Sequence, residues 1–181
     1  MQAYVVGSGL GNDPDRAEDV RRIMASGLPV LVDADGLRHL PDRCDGQVLL
    51  TPHEGELARL LDVERAHVSA HRLASAREAA RRWNATVLLK GAATLVVDPD
   101  GRARVNTVGT PWLGTAGAGD VLSGVCGSLL AAGLDPLDAG SVGAYVHASA
   151  GVLASRGGPL TAEGVAARVP DAVRLALSAD T

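Results

Sequence analysis

Aromatic side chains are scarce in this 181-residue chain, which has no Phe, two Trp and two Tyr. Its 46% of hydrophobic residues is carried by Ala, Val and Leu, small side chains that favour close packing of helices on a sheet. Cysteine is as rare. Cys44 and Cys126 stand far apart in no CxxC or Cys/His cluster, which excludes a disulfide framework and a structural zinc site and points to a reducing, cytoplasmic setting. Positive charge is in deficit, with 17 Lys and Arg against 21 Asp and Glu and a net charge of -4. The two signs are interspersed, so there is no broad basic face for nucleic acid. Long hydrophobic runs are also lacking. The longest, around Val125 to Leu134, is interrupted by Gly127 and Ser128, and Met1 to Leu10 has no basic flank before an apolar stretch. Neither a membrane span nor a signal peptide is indicated.

What is present fits one domain over residues 1–181, large enough to bury a continuous core. Short runs rich in Val and Leu alternate with helical patterns, as in an α/β protein with a mostly parallel sheet covered by helices. Strands are expected at Tyr4 to Val6, Pro29 to Val32, Val48 to Leu50, Thr86 to Lys90, Thr94 to Val97 and Ala103 to Val105. The turn residues Asp98, Pro99, Asp100 and Gly101 make the last two an antiparallel pair. Asp13 is placed to cap a helix that starts at Pro14 and runs to about Ala25. Further helices are expected at Glu54 to Leu61, Ala66 to Trp83 with Leu73, Ala76 and Ala80 on one face, Gly117 to about Ala132, Pro136 to Arg156, and one or two over Ala162 to Leu177. The chain opens on a strand with no helix before it, which gives the expectation that the front of the domain is missing.

The strongest chemical signal is TAGAGD, Thr115 to Asp120, followed by an apolar helix. Gly117 and Gly119 let backbone amides approach an anion without side-chain obstruction, and the helix start aims free N–H groups and the positive end of its dipole at the same point. Asp120 in the first turn is either a simple favourable helix charge or a carboxylate beside a phosphate, placed to take a proton from an acceptor hydroxyl. GSGLG, Gly7 to Gly11, lacks the third glycine of a dinucleotide fingerprint, but it joins a strand to a helix and offers backbone to a ligand. Lys90 and Gly91 close a strand where an ammonium can reach a phosphate. TPHEGE presents His53 and Glu54 at the C-terminal edge of the sheet, the edge where open α/β sheets bind ligands. Asp33 and Asp35 in VDADGL reach the same edge, to orient a hydroxyl or hydrated magnesium or to cap Gly36 to Leu40. His67 and His71 have the spacing of two metal ligands but no HExxH glutamate, and read as a solvated helix face; no protein-held metal is expected.

Together GSGLG, VDADGL, LLTPHEGEL, VLLKGAAT and TAGAGDVLSG, in that order, resemble the ADP- or ATP-dependent NAD(P)H-hydrate dehydratases of the ribokinase-like superfamily. The resemblance implies a three-layer ribokinase-like fold with an antiparallel edge pair. It also implies phosphorylation of the hydroxyl of the S-epimer of hydrated NADH or NADPH and elimination of phosphate, with ADP or ATP and Mg2+ as cofactors. Gly9, His53 and Asp120 would bind the hydrate, with Asp120 catalytic. Lys90, Gly91, Ala92, Ala93 and Thr94 would hold the nucleotide with Gly117 and Gly119. A homo-oligomer and a fused or separate hydrate epimerase are implied as partners. Ala116 and Ala118 depart from the family's TGGTGD, removing a Thr hydroxyl, and Trp112 and Leu113 stand where small residues are usual. The family also has more chain before the first glycine loop and about eight or more strands against six here. A kinase of a small alcohol, such as a hydroxymethylpyrimidine or a sugar, and a nucleotide-binding fragment without turnover remain alternatives, since GAGD serves them too.

Overall fold

The structure is a computed structural model that describes residues 2–11 and 14–178. Within these residues six strands form one sheet in sequence order: β1 Tyr4–Val6, β2 Val30–Val32, β3 Val48–Leu50, β4 Thr86–Leu89, β5 Thr94–Val97 and β6 Ala103–Asn106. β1 to β4 are mutually parallel, whereas β4–β5 and β5–β6 are both antiparallel. The antiparallel part is thus three strands wide, because the short turn at Gly91 to Ala93 leaves no room for a crossover helix between β4 and β5. The helix cap expected at Asp13 lies outside the described residues.

β2 to β5 are buried on both faces while the edge strands β1 and β6 are largely exposed, and the period of two divides the buried strands between two cores. Val30, Val32, Leu50, Val87 and Leu89 point into one core with Val20 of α1 (Pro14–Met24), Leu57 of α2 (Glu54–Leu61), Val68 of α3 (Arg65–Ala70) and Trp83 of α4 (Arg72–Trp83). Leu31, Leu49, Leu88 and Val96 point the other way, onto Leu122, Cys126 and Leu130 of α5 (Ala118–Ala131) and Leu137 and Ala144 of α6 (Pro136–Ser155). Helices therefore cover both faces of the sheet. The last helix, α7 (Ala162–Ser178), packs through Val165 and Ala172 against α6 rather than on the sheet. Leu49 is fully buried at the middle of this arrangement, where truncation to Ala costs about 2–5 kcal/mol.

One expected helix is two. The run from Ala66 to Trp83 breaks at His71, whose backbone (φ -128, ψ 41) is not helical. The break turns α4 so that Arg72 reaches back to Glu54 and the loop after β4. It also changes the buried face, since Ala76, Ala79, Ala80 and Trp83 are buried while Leu73 remains 38% exposed.

Small residues set the helix approach. A Cβ on Gly143 would lie 2.4 Å from Cys126 Sγ, and one on Gly140 2.9 Å from Val96, so α6 can lie against both α5 and the sheet only with glycine at these points.

Candidate functional site

The parallel strands β1 to β4 end at one edge, and the candidate residues emerge there. β1 ends in Gly7, whose φ of +136 and close approach to the Asp33 backbone exclude any side chain: a Cβ would sit 1.7 Å from the Asp33 carbonyl oxygen. Beyond it Ser8 donates its hydroxyl to the Asp120 carboxylate, and Gly9, with φ +70 and nothing within 4 Å of a Cβ, faces open space. The glycine loop and the first turn of α5 thus meet at an exposed rim.

β2 ends in Asp33, 2% exposed. It does not cap the 3-10 turn at Ala34–His39. Its Oδ1 lies 2.7 Å from Lys90 Nζ, and its Oδ2 accepts from Ser123 Oγ of α5 at 2.8 Å. Both oxygens are engaged within the protein, and Asp33 anchors the Lys90 ammonium. Asp35 accepts from the N–H of Gly11 at 3.1 Å.

β3 leads into Pro52 and His53. His53 Nδ1 accepts from the N–H groups of Gly55 and Glu56 at 2.9 and 3.1 Å, and Glu56 accepts from the His53 N–H at 2.7 Å, a reciprocal cap on α2. A ring whose Nδ1 accepts carries its hydrogen on Nε2, and this nitrogen stands 3.5 Å from Glu56 Oε1. His53 bridges in parallel to Lys90 just beyond the ends of β3 and β4.

Lys90 is the meeting point. Its ammonium contacts Asp33 and lies 3.8 Å from Glu56 Oε2, and it is the nearest neighbour, at 3.7 Å, of a Cβ placed on Gly119. Gly117 is the N-cap of α5 in a left-handed conformation (φ 82). Ala118 and Asp120 turn their amides onto the carbonyls of Thr115 and Gly117, whereas among the described residues the N–H groups of Gly117 and Gly119 make no bond. Two unpaired amides, a helix N-terminus and a fixed ammonium converge, an arrangement that binds an anion such as a phosphate.

The anion point opens into a cleft of about 950 Å³ lined by His53, Lys90, Gly91, Ala92, Thr94 and Gly119 among others. Ala93 does not line it; its carbonyl accepts from Arg72 at 2.8 Å. Leu113 lines the cleft while Trp112 does not, being packed out of it and 43% exposed. Gly9 and Asp120 lie outside this lining, so the expected residues divide between the cleft and the Ser8–Asp120 rim beside it.

Four contributors escaped the sequence reading. Ser8 is the unmarked residue of a glycine loop. Ser123 sits one turn beyond GAGD. Arg72 pins Glu54 and Ala93 and fills the space a Gly91 side chain would occupy; Ser69 and then Arg72 hold the Glu54 carboxyl below its ordinary range, against the opposing pull of burial. His147 lines the cleft at 8% exposure with Nε2 unpartnered, and burial pushes its pKa down despite the Ala118 carbonyl at its ring. A lone histidine in the small-residue helix GAYVHASAG was the available signal.

No group of three or more His, Cys, Asp or Glu gathers among the described residues. His67 and His71 are exposed, with ring centroids 4.6 Å apart. The polar set at the sheet edge is the Lys90 ammonium with carboxylates held by protein groups. It suits a hydrated cation that arrives on phosphates and keeps its waters.

Residues 1–164 match the family described as NAD(P)H-hydrate dehydratase. The chain belongs to this family. It is 38% identical over 185 residues to the ADP-dependent (S)-NAD(P)H-hydrate dehydratase of Neisseria meningitidis, covering 96% of this chain and 62% of that protein. It is 41% identical over 186 residues to a bifunctional NAD(P)H-hydrate repair enzyme of Mycobacterium leprae, 99% of this chain and 39% of that one. The structure superimposes with a TM-score of 0.89 and 28% identity on the ADP/ATP-dependent NAD(P)H-hydrate dehydratase of Bacillus subtilis, co-crystallised with ATP and Mg2+, over 96% of this chain and 66% of that one. The dehydratase-family chain therefore spans less than two thirds of these relatives, and its fold is the ribokinase-like α/β fold. No described helix is long and apolar enough to cross a membrane.

Proposed function

We propose that the chain carries out ADP- or ATP-dependent dehydration of the S-epimer of NAD(P)H hydrate. The observation that carries this is the placement of Asp120, held by Ser8 in the first turn of α5, next to Gly119, where a Cβ would lie 3.7 Å from the Lys90 ammonium. A phosphate at the anion point and a hydroxyl at Asp120 stand side by side, as in-line transfer requires.

In this reading the nucleotide lies in the cleft along Lys90, Gly91, Ala92 and Thr94, with Ala93 holding the loop through Arg72 and the terminal phosphate on the amides of Gly117 and Gly119 and the Lys90 ammonium. The hydrate lies along Gly9 and His53 with its hydroxyl at Asp120. Asp120 takes the hydroxyl proton as that oxygen bonds phosphorus and the bond to the nucleotide breaks. The carbon–oxygen bond then breaks with the electron pair leaving on phosphate, a far better leaving group than hydroxide, and loss of a ring proton restores the reduced nicotinamide. Mg2+ on the nucleotide phosphates neutralises their charge when bound.

Tyr145, Val142 and Val152 are exposed at helical spacing on α6, which supports a homo-oligomer built on that helix; light scattering tests it. The bifunctional relative supports a companion activity on the same hydrate, in our reading an epimerase. Two free, buried cysteines support a reducing, cytoplasmic compartment.

Hydrated NADH mixed with the chain and ADP or ATP should regain the near-ultraviolet absorbance of reduced nicotinamide. Nucleotide binding without recovery of that absorbance would refute the dehydratase reading and leave a nucleotide-binding module.

A further inference from the structure

A second cavity, of about 650 Å³, lies behind the first on the face of the sheet covered by α2 and α4. Its volume is that of a small-molecule site. Two hydrogen bonds join it to the glycine loop that carries Gly9 and to His53, both expected at the hydrate. Asp35, on its wall, accepts from Gly11 of the glycine loop, and Glu56, also on its wall, accepts from the N–H of His53. His53 itself lines the other cleft. The cap on α2 is thus a partition, with His53 on the nucleotide side and Glu56 on the far side. Ala34 at the mouth is held at φ 48, a left-handed conformation that a residue with a Cβ adopts only where its surroundings impose it.

The lining chemistry is specific. Arg38, Arg59 and Arg82 come from three separate elements. Three carboxylates also line the cavity, and two of them are engaged: Asp35 by Gly11 and Arg38, Glu56 by His53 and Lys90. Asp42 remains, against Arg59, which has no partner among the described residues, and Arg82, whose guanidinium lies 4.6 Å over the Trp83 ring and touches only the Leu60 carbonyl, at 3.4 Å. Leu37, Leu40 and Leu60 supply the apolar wall. Guanidinium groups bind phosphate bidentately and stack on flat rings, so anion, stacking and apolar contact are offered together.

We infer that this cavity holds the adenosine–pyrophosphate half of the hydrated dinucleotide, with Arg59 on the pyrophosphate and the Arg82–Trp83 pair against the adenine, while the hydrated ring is at Gly9, His53 and Asp120. The inference rests on the hydrate reading. It extends that reading by a subsite: the nucleotide co-substrate takes the cleft at Lys90, and the substrate's own nucleotide half takes the opposite side of the His53–Glu56 partition.

ADP-ribose, which is this half of the substrate without its nicotinamide, is the probe. The chain is first saturated with a non-hydrolysable ATP analogue and Mg2+ to fill the first cleft, and ADP-ribose is then titrated by calorimetry. Binding is expected, and Arg59→Glu and Arg82→Glu, both surface changes, should each weaken it tenfold or more while leaving analogue affinity and melting temperature within error. Arg59→Lys should recover part of the loss. Absence of ADP-ribose binding to the analogue-filled chain, or binding indifferent to both arginines, would overturn the subsite. Failure of the ATP analogue itself to bind would instead bring down the nucleotide reading on which the subsite depends.

Discussion

Ser8 donates its hydroxyl to the carboxylate of Asp120, 112 positions later in the chain. The contact orients a carboxylate that otherwise projects from an exposed helix start. Asp120→Asn should lower turnover by about 10²- to 10⁴-fold, the range for loss of a positioned proton acceptor, and leave ADP affinity unchanged. Ser8→Ala keeps the carboxylate and loses its orientation, so a fall in kcat of no more than about 10- to 150-fold is expected, since one hydrogen bond to a charged group is worth about 1.5–3 kcal/mol at most. Steady-state rates beside calorimetric ADP affinities check both. Full activity of the Asp120→Asn chain would remove the carboxylate from the chemistry.

Gly7 and Gly9 look equivalent in the sequence and are not. A Cβ on Gly7 meets the Asp33 carbonyl at 1.7 Å, whereas one on Gly9 meets nothing within 4 Å. Gly7→Ala should therefore abolish cooperative folding. Gly9→Ala should cost only about 1–2 kcal/mol for the left-handed backbone, yet abolish hydrate binding by placing a methyl group where the substrate approaches. Thermal melts and substrate affinity, measured on both, separate the two.

Arg72 fills the space beside Gly91 and holds the Ala93 carbonyl, so it shapes a loop it does not belong to. Arg72→Met should raise the Kd for ADP several-fold and speed hydrogen exchange of the Gly91 to Thr94 amides. Unaltered exchange there would show the loop to be rigid without it.

The mostly parallel sheet and the arrival of His53 and Asp33 at its C-terminal edge were legible because each lies in a strand-to-helix junction with its own local signature. Contacts between distant segments were not. Asp33 is a buried anchor for Lys90 rather than a side-chain cap, and Ser123, 90 positions away, occupies its second oxygen. The helix break at His71 was hidden for a similar reason: helical periodicity continues through it, and the contacts of Arg72 with Glu54 and Ala93 that accompany the turn join distant segments.

Cys44 and Cys126 lie in the cores on opposite faces of the sheet, so they cannot pair without unfolding. Burial, and in each case a nearby carboxylate, pushes their thiols up to about 11 and about 12. A thiolate reagent at pH 8 should modify neither in the native chain and both after denaturation. Rapid modification of one thiol in the native chain would reveal an opening of that core.

His147 makes stability depend on pH in a predictable direction. Burial first, and the Lys90 charge in addition, lower its pKa below the ordinary 6.5 against the opposing hydrogen bond to the Ala118 backbone. In the unfolded chain the imidazole binds a proton near pH 6.5, while in the folded chain it stays neutral to lower pH. Stability is therefore fully present above about 6.5 and declines as pH falls below it, by at most about 1.4 kcal/mol per pH unit from this one group. His147→Gln removes the titration. Denaturant unfolding at a series of pH values between about 7.5 and 5 should show the stability of the parent chain converging on, or falling below, that of the variant as pH drops. Parallel curves would mean that the folded imidazole binds its proton as readily as the unfolded one.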